Sequence, residues 1–228
     1  MNTKRTVSDV KRTFFSTYPR PLNSIYRRVI DELLVELHLL VINQDFHYDP
    51  LFATGLTVAY GALMDGYKPA DQREPILRAM CKALELEYER IQQDTRQWRS
   101  LDTNVPAQEV LEVLAGTREP VAGPLTAVRV TFDGIADNTN FKYSRMFALG
   151  LSSIVEQVGR AALLGDKDRQ EKLQQICERL RIDSGKVKKD LDFFNAVIER
   201  IKRSKETIDE LVQSDRRKRE ERAASQTG

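Results

Sequence analysis

The chain has 228 residues, 41% of them hydrophobic and 31% charged, with a formal net charge of +2. The apolar share supports one substantial core, the charge excess points to long exposed helix faces, and the bulk charge gives no argument for nucleic acid. Two cysteines, Cys81 and Cys177, make no disulfide framework and read as reduced core residues on apolar helix faces.

In chain order, Thr6-Val7-Ser8-Asp9 reads as a capping box, with Asp9 in place of the usual Glu. It opens a short helix through Val7, Val10 and Phe14. Tyr18-Pro19-Arg20-Pro21 is extended, because a residue before proline is pushed out of the helical region. Residues 1–28 hold seven cations against Asp9 alone, a net +6, so the rest of the chain sums to −4. Such a basic end can lie on an anionic membrane surface, with Lys4, Arg5, Lys11 and Arg12 as candidate contacts. The alternative is a solvated arm, with Arg27 and Arg28 pairing with Asp31 and Glu32 on the next helix.

Residues 22–64 form the expected core. Tyr26, Ile30, Leu33, Leu37 and Leu40 recur every three or four positions, and Ile25, Val29, Leu34 and Val41 widen that face. A helix apolar over so much of its circumference is normally buried among several partners. Asn23 or Ser24 caps its start. Asp49-Pro50 opens a second helix, with Asp as the cap and Pro at the first position. Phe52, Leu56, Ala59, Tyr60 and Leu63 face inward, and Gly66 and Pro69 close it.

A helix over 70–86 follows, with Ile76, Leu77, Met80 and Leu84 inward and Pro75 tolerated in its first turn. It continues as a charged helix over 87–101, where Trp98 anchors on the core. A short helix from 104 passes through Val110, Leu111 and Leu114 to Gly116. Residues 116–124 are a loop with two glycines and two prolines. Pro124 leads a helix with Leu125, Val128, Phe132 and Ile135 inward, although AVRVTF would also suit a strand. A turn over 137–140 precedes a buried helix from Phe141. Gly150 inside it costs about 1 kcal/mol relative to Ala and points to close packing on another backbone. A helix over 166–180 comes next, and Ser184 caps the last one. There Val187, Leu191, Phe194, Ile198, Ile201, Lys205, Ile208 and Val212 alternate by four and three, a coiled-coil seam weakened by Lys205. Residues 184–222 would span roughly 60 Å as helix, more than the 35–40 Å width expected of a domain of about this size.

The expectation is therefore an all-α protein: a multi-helix globular bundle over 1–183 and a long projecting C-terminal helix over 184–228 with a frayed polar tail. Ile201, Ile208, Val212, Arg216 and Arg217 are its candidate partner or membrane contacts. The basic run 216–219 is followed by Glu220 and Glu221 and has no aromatic neighbour, which argues against nucleic acid.

Chemistry finds little support. The chain has no P-loop, no GxGxxG after a strand, no HExxH and no GxSxG. His38, Asp45, His47 and Asp49 match no standard metal spacing. Tyr143-Ser144-Arg145 offers hydroxyls and a cation without a base nearby in sequence. No catalytic, cofactor or metal residues are expected. The amino end lacks a signal peptide's hydrophobic stretch. The most apolar run, 33–42, is broken by Glu36 and His38 and is far shorter than the roughly 20 residues of a membrane span.

Several blocks together resemble one known family. They are Ile25-Tyr26-Arg27-Arg28-Val29, residues 32–40, Asn43, Tyr48-Asp49-Pro50-Leu51-Phe52-Ala53 and Gly55-Leu56. Phe141-Lys142-Tyr143-Ser144-Arg145 with Phe147-Ala148 and Gly150-Leu151 forms a second block. Lys186-Val187 with Lys189-Asp190-Leu191 forms a third. These are similar to the thylakoid formation protein family, also described as photosystem II biogenesis accessory proteins. The resemblance implies an all-helical, non-enzymatic protein without cofactors, acting in photosystem II assembly and repair. It implies an FtsH-type membrane protease complex and photosystem II assembly components as partners. It also implies a cyanobacterial member without a transit peptide, peripheral on the cytoplasmic side of the thylakoid; the basic amino end adds the anionic lipid surface as a further expected contact. A helical carrier of a small molecule or pigment, with a pocket near His38 and Tyr143, is the alternative. A metal-dependent hydrolase is a third reading.

Overall fold

A computed structural model describes residues 5–120 and 123–225, with side chains through Thr207 except at position 104. Every regular element among them is helical. The first, α1 (Val7–Thr17), is opened by the expected capping box: the Thr6 hydroxyl accepts from the Asp9 amide, and the Asp9 carboxylate accepts from the Thr6 amide at 3.0 Å. Asn23 caps α2 (Ser24–Val41) through the Ile25 amide, and Asp49 caps α3 (Pro50–Leu63) through the Phe52 amide.

The next segment departs from the expected continuous helix. A single 3₁₀ turn (Ala70–Gln72) precedes α4 (Arg73–Ala83), and α5 (Tyr88–Arg99) is a separate helix. Between them Glu85 takes φ +59°, and the Leu86 amide reaches back to the Cys81 carbonyl. That six-to-one closure ends a helix even without glycine. A short α6 (Leu101–Asn104) leads to α7 (Ala107–Ala115), which Gly116 closes at φ +75°.

Residues 124–137 resolve the helix-or-strand alternative as helix α8 (Pro124–Asp137). The following helix, α9 (Arg145–Ala161), starts four residues later than expected. Ser144 caps it by accepting from the Phe147 amide, while the Phe141 and Tyr143 rings fold back onto Phe147. Next come α10 (Asp166–Arg179) and α11 (Ser184–Ser225). The cap of α11 is Asp183 rather than Ser184, its carboxylate accepting from the amides of Gly185 and Lys186. The chain divides into two units, Met1–Leu191 and Asp192–Gly228.

Within the first unit α3 and α9 are the central pair. They cross where Gly55 meets Gly150, so the close backbone approach expected at Gly150 is present. Outside this pair, α5 packs on α3, and α7 and α10 pack on α9. At one end α1 joins α2 to α4, and α8 lies on α7. Trp98 is buried and stacks on Phe132, anchored as expected. Tyrosine hydroxyls tie loops to this frame: Tyr26 donates to the Asp65 carbonyl, and Tyr48 donates to the Asp94 carboxylate at 2.7 Å.

Candidate functional site

The basic amino end is built into the helical body. Val10 and Phe14 of α1 are buried against their neighbours, and the cations find carboxylates nearby. Arg5 pairs with Glu85 at 2.8 Å and donates to the Thr13 hydroxyl. Lys11 pairs with Asp31 at 3.0 Å and Arg12 with Asp9 at 3.1 Å. Lys4 lies outside the described residues. Arg28 pairs with Glu32 as expected. Arg27 does not take Asp31, which Lys11 occupies; its guanidinium lies 5.2 Å from the Phe15 ring centroid instead. Of the carboxy-terminal candidates, Ile201 lies on α11. Ile208, Val212, Arg216 and Arg217 share that helix, with side chains outside the described residues.

Helix α2 carries more apolar surface than the body covers. Tyr26, Val29, Ile30, Leu33, Leu34 and Leu37 are buried as the periodicity requires. The expectation that partners surround the helix is corrected on its other side: Leu39 is 58% exposed and Ile42 39% exposed. With the half-buried Val35 they recur at i, i+4 and i+7, one stripe on the helix. Beside this stripe runs a groove of about 730 Å³ lined by Lys11, Arg27, Asp31, Glu36, Leu39 and Arg145, among others.

One wall of the groove is a polar junction among α2, α9 and the start of α11. Arg145 donates to both Glu36 carboxylate oxygens at 3.2 Å, and its Nε lies 3.6 Å from Asp190. Tyr143 donates to the other Asp190 oxygen at 2.7 Å, and Lys186 sits 4.5 Å from the Tyr143 ring centroid. Burial pushes the Glu36 carboxyl up, Arg145 pulls it down, and Asp190 adds a smaller upward push. Burial and then the Asp190 hydrogen bond push the Tyr143 hydroxyl far up. A phenol so held is a donor and no nucleophile at neutral pH. Ser144 is committed to its cap. These groups join helices.

The histidines are placed apart in role. His38 is buried on α2, and His47 sits in an exposed turn with its Nδ1 3.0 Å from the Asp45 carbonyl. Among the described residues no three of His, Cys, Asp or Glu are gathered to hold a metal ion. A second hollow of about 430 Å³ opens beside Phe141, Tyr143, Ile182 and Lys186. Among the described residues no helix is long and apolar enough to cross a membrane.

Local spacing could not reveal the junction, since Glu36 and Arg145 are 109 residues apart and Tyr143 and Asp190 are 47 apart. Its Tyr143, Arg145 and Asp190 do lie in the blocks that carry the family resemblance.

The fold and these surfaces define a helical protein whose Tyr143–Asp190 and Arg145–Glu36 contacts join helices and whose second helix keeps a bare apolar stripe. A family model described as "Thylakoid formation protein" matches residues 6–223. Protein Thf1 of Gloeobacter violaceus is 64% identical over the whole of both chains. Protein Thf1 of a Nostoc species is 36% identical, the match covering 97% of this chain and 94% of that one. A solved structure of Psb29 superposes with a TM-score of 0.74 at 34% identity, covering 94% of this chain and 98% of that chain. The chain belongs to the thylakoid formation protein family, and these Thf1 relatives are cyanobacterial. The family is described by the formation of a membrane system, not by a catalysed reaction.

Proposed function

We propose that this protein is a non-enzymatic accessory factor in photosystem II biogenesis and repair. It binds an FtsH-type membrane protease complex and supports its accumulation, sitting as a peripheral protein on the cytoplasmic side of the thylakoid. The observation that carries the reading is family membership over nearly the whole chain, with similarity to both Thf1 and Psb29. The construction of the molecule supports it. Of the strongest candidates for chemistry, Tyr143 and Arg145 are committed to joining helices and Ser144 to capping α9. In addition, α11 runs for 42 residues without interruption. The four-three spacing of Ile201, Ile208 and Val212 in the sequence is that of an apolar seam suited to a partner helix.

The test is affinity purification of the tagged protein from gently solubilised thylakoids, comparing the full-length chain with one ending at Arg203. Recovery of the protease with the full-length chain alone assigns the contact to the distal part of α11. Recovery with both places it on the helical body. Recovery with neither overturns the reading. The hollow beside Tyr143 favours one second reading, a carrier of a small molecule or pigment, which predicts a ligand bound to the purified protein.

A further inference from the structure

We propose that the groove along α2 is a docking site for an acidic, amphipathic helical segment of a partner protein. The proposal rests on the partner-binding reading above and names the surface and the chemistry it selects. Two observations meet here. The first is apolar: Val35, Leu39 and Ile42 form a stripe at helical spacing, and Leu39 alone leaves more than half its surface in water. A stripe at i, i+4 and i+7 is what a second amphipathic helix packs against. The lining runs from Ser24 to Leu39, which is about 22 Å along the helix axis, or four turns of a partner laid beside it.

The second observation is the charge account of the groove. Its three carboxylates are each already matched by a cation within it: Asp31 by Lys11 at 3.0 Å, Glu32 by Arg28 at 3.0 Å, and Glu36 by Arg145 at 3.2 Å. The fourth cation, Arg27, is exposed and rests on the Phe15 ring. A partner carboxylate therefore finds a cation to pair with, whereas a partner cation finds each carboxylate taken and Arg27 repelling it. The occupant that suits both observations presents leucine-like side chains to Leu39 and a glutamate or aspartate to Arg27.

The experiment uses the full-length protein in its own cells, with p-benzoylphenylalanine in place of Leu39. Illumination forms a covalent cross-link, and mass spectrometry maps the attached segment. The expected product joins position 39 to a helical segment of another protein that carries both acidic and apolar residues. Arg27→Glu in the same background lowers its yield by roughly tenfold, while Arg27→Lys retains most of it. Leu39 is exposed, so the probe leaves the fold intact, as circular dichroism of the purified variant verifies. A cross-link to lipid, to a second copy of this chain or to a basic segment overturns the proposal, as does no cross-link. Recovery of the protease from the same cells separates the two readings. Protease recovered without the expected cross-link leaves the proposed function standing and removes the groove from it.

Discussion

Gly55 and Gly150 face each other across the α3–α9 crossing, each in the space that a side chain on the other would need. A Cβ on Gly55 would lie 2.8 Å from the Gly150 nitrogen, and one on Gly150 would lie 2.9 Å from the Gly55 nitrogen. Each would also overlap a carbonyl oxygen, that of Met146 or of Leu51. The obstacles are backbone atoms, so no rotamer change relieves them. Gly55→Ala and Gly150→Ala are each expected to cost about 1–3 kcal/mol in urea unfolding. Both force the same two helices apart, so the double variant should cost less than the sum. Strict additivity would mean that the helices do not move as one contact.

Leu163 closes α9 at φ +58° with 93% of its surface exposed. The Leu164 amide bonds back to the Gly159 carbonyl, the same closure that Gly116 makes for α7. A side chain in the left-handed region is strained and here buries nothing, so glycine fits better. Leu163→Gly should stabilise the protein by about 0.5–1 kcal/mol, seen as a raised Tm. A lowered Tm would show that Leu163 packs in solution.

Arg179 ties α10 to the end of α7. Its guanidinium donates to the carbonyls of Val113 and Leu114 at 2.6 and 2.9 Å and to the Asp133 carboxylate at 2.5 Å. Arg179→Ala leaves these acceptors without that donor and should cost on the order of 2–3 kcal/mol. Arg179→Lys should recover less than half, because an ammonium lacks the fork that spans three acceptors. Full rescue by Lys would reduce the contact to simple charge.

Asp49 gives the protein a pH-dependent term. Burial pushes its carboxyl up to about 6, against the downward pull of the Phe52 and Leu51 amides. Unfolded, it titrates near 3.9. Between those values the folded state holds a proton that the unfolded state has released. The contribution to stability is therefore greatest below pH 4, falls as pH rises to 6 and is flat above. Asp49 is only partly buried by area, so about 1–2 kcal/mol of difference is expected. Asp49→Asn keeps a capping oxygen and should remove this slope, measured as unfolding free energy at pH 4 and pH 7. An unchanged slope would assign the pH dependence elsewhere.

Cys81 and Cys177 are buried, and burial pushes their thiols up to about 12 and about 11. A thiol this far from its thiolate is a poor nucleophile. Ellman's reagent should titrate neither cysteine in the folded protein and both in denaturant. Rapid reaction of either before unfolding would reveal an opening of its helix.

Local signals in the sequence carried the helices and their inward faces. The Thr6–Asp9 box, the Asp49-Pro50 start and the Gly116 stop are each written in residues that do one thing well, and each is where the sequence puts it. The missed boundaries share a cause. Glu85 adopts the left-handed closure that favours glycine, so nothing in its identity marks the end of α4. The late start of α9 depends on Phe141 and Tyr143 folding back onto Phe147, a choice that packing makes and periodicity cannot. What lies opposite a surface residue is hidden for the same reason. A count of cations finds Lys11 but not Asp31 opposite it. A count of apolar residues on α2 finds Leu39 but not that the body of the protein stops short of it.

Trp98, the only tryptophan in the chain, lies 6.1 Å from Phe132 between ring centroids, with the two rings 13° from parallel. All tryptophan emission therefore originates at a single point, where α5 meets α8. Its colour reports whether those two helices remain in contact, and water entering there shifts it to the red. The protein thus carries a built-in optical gauge of the integrity of its helical body, with no label attached.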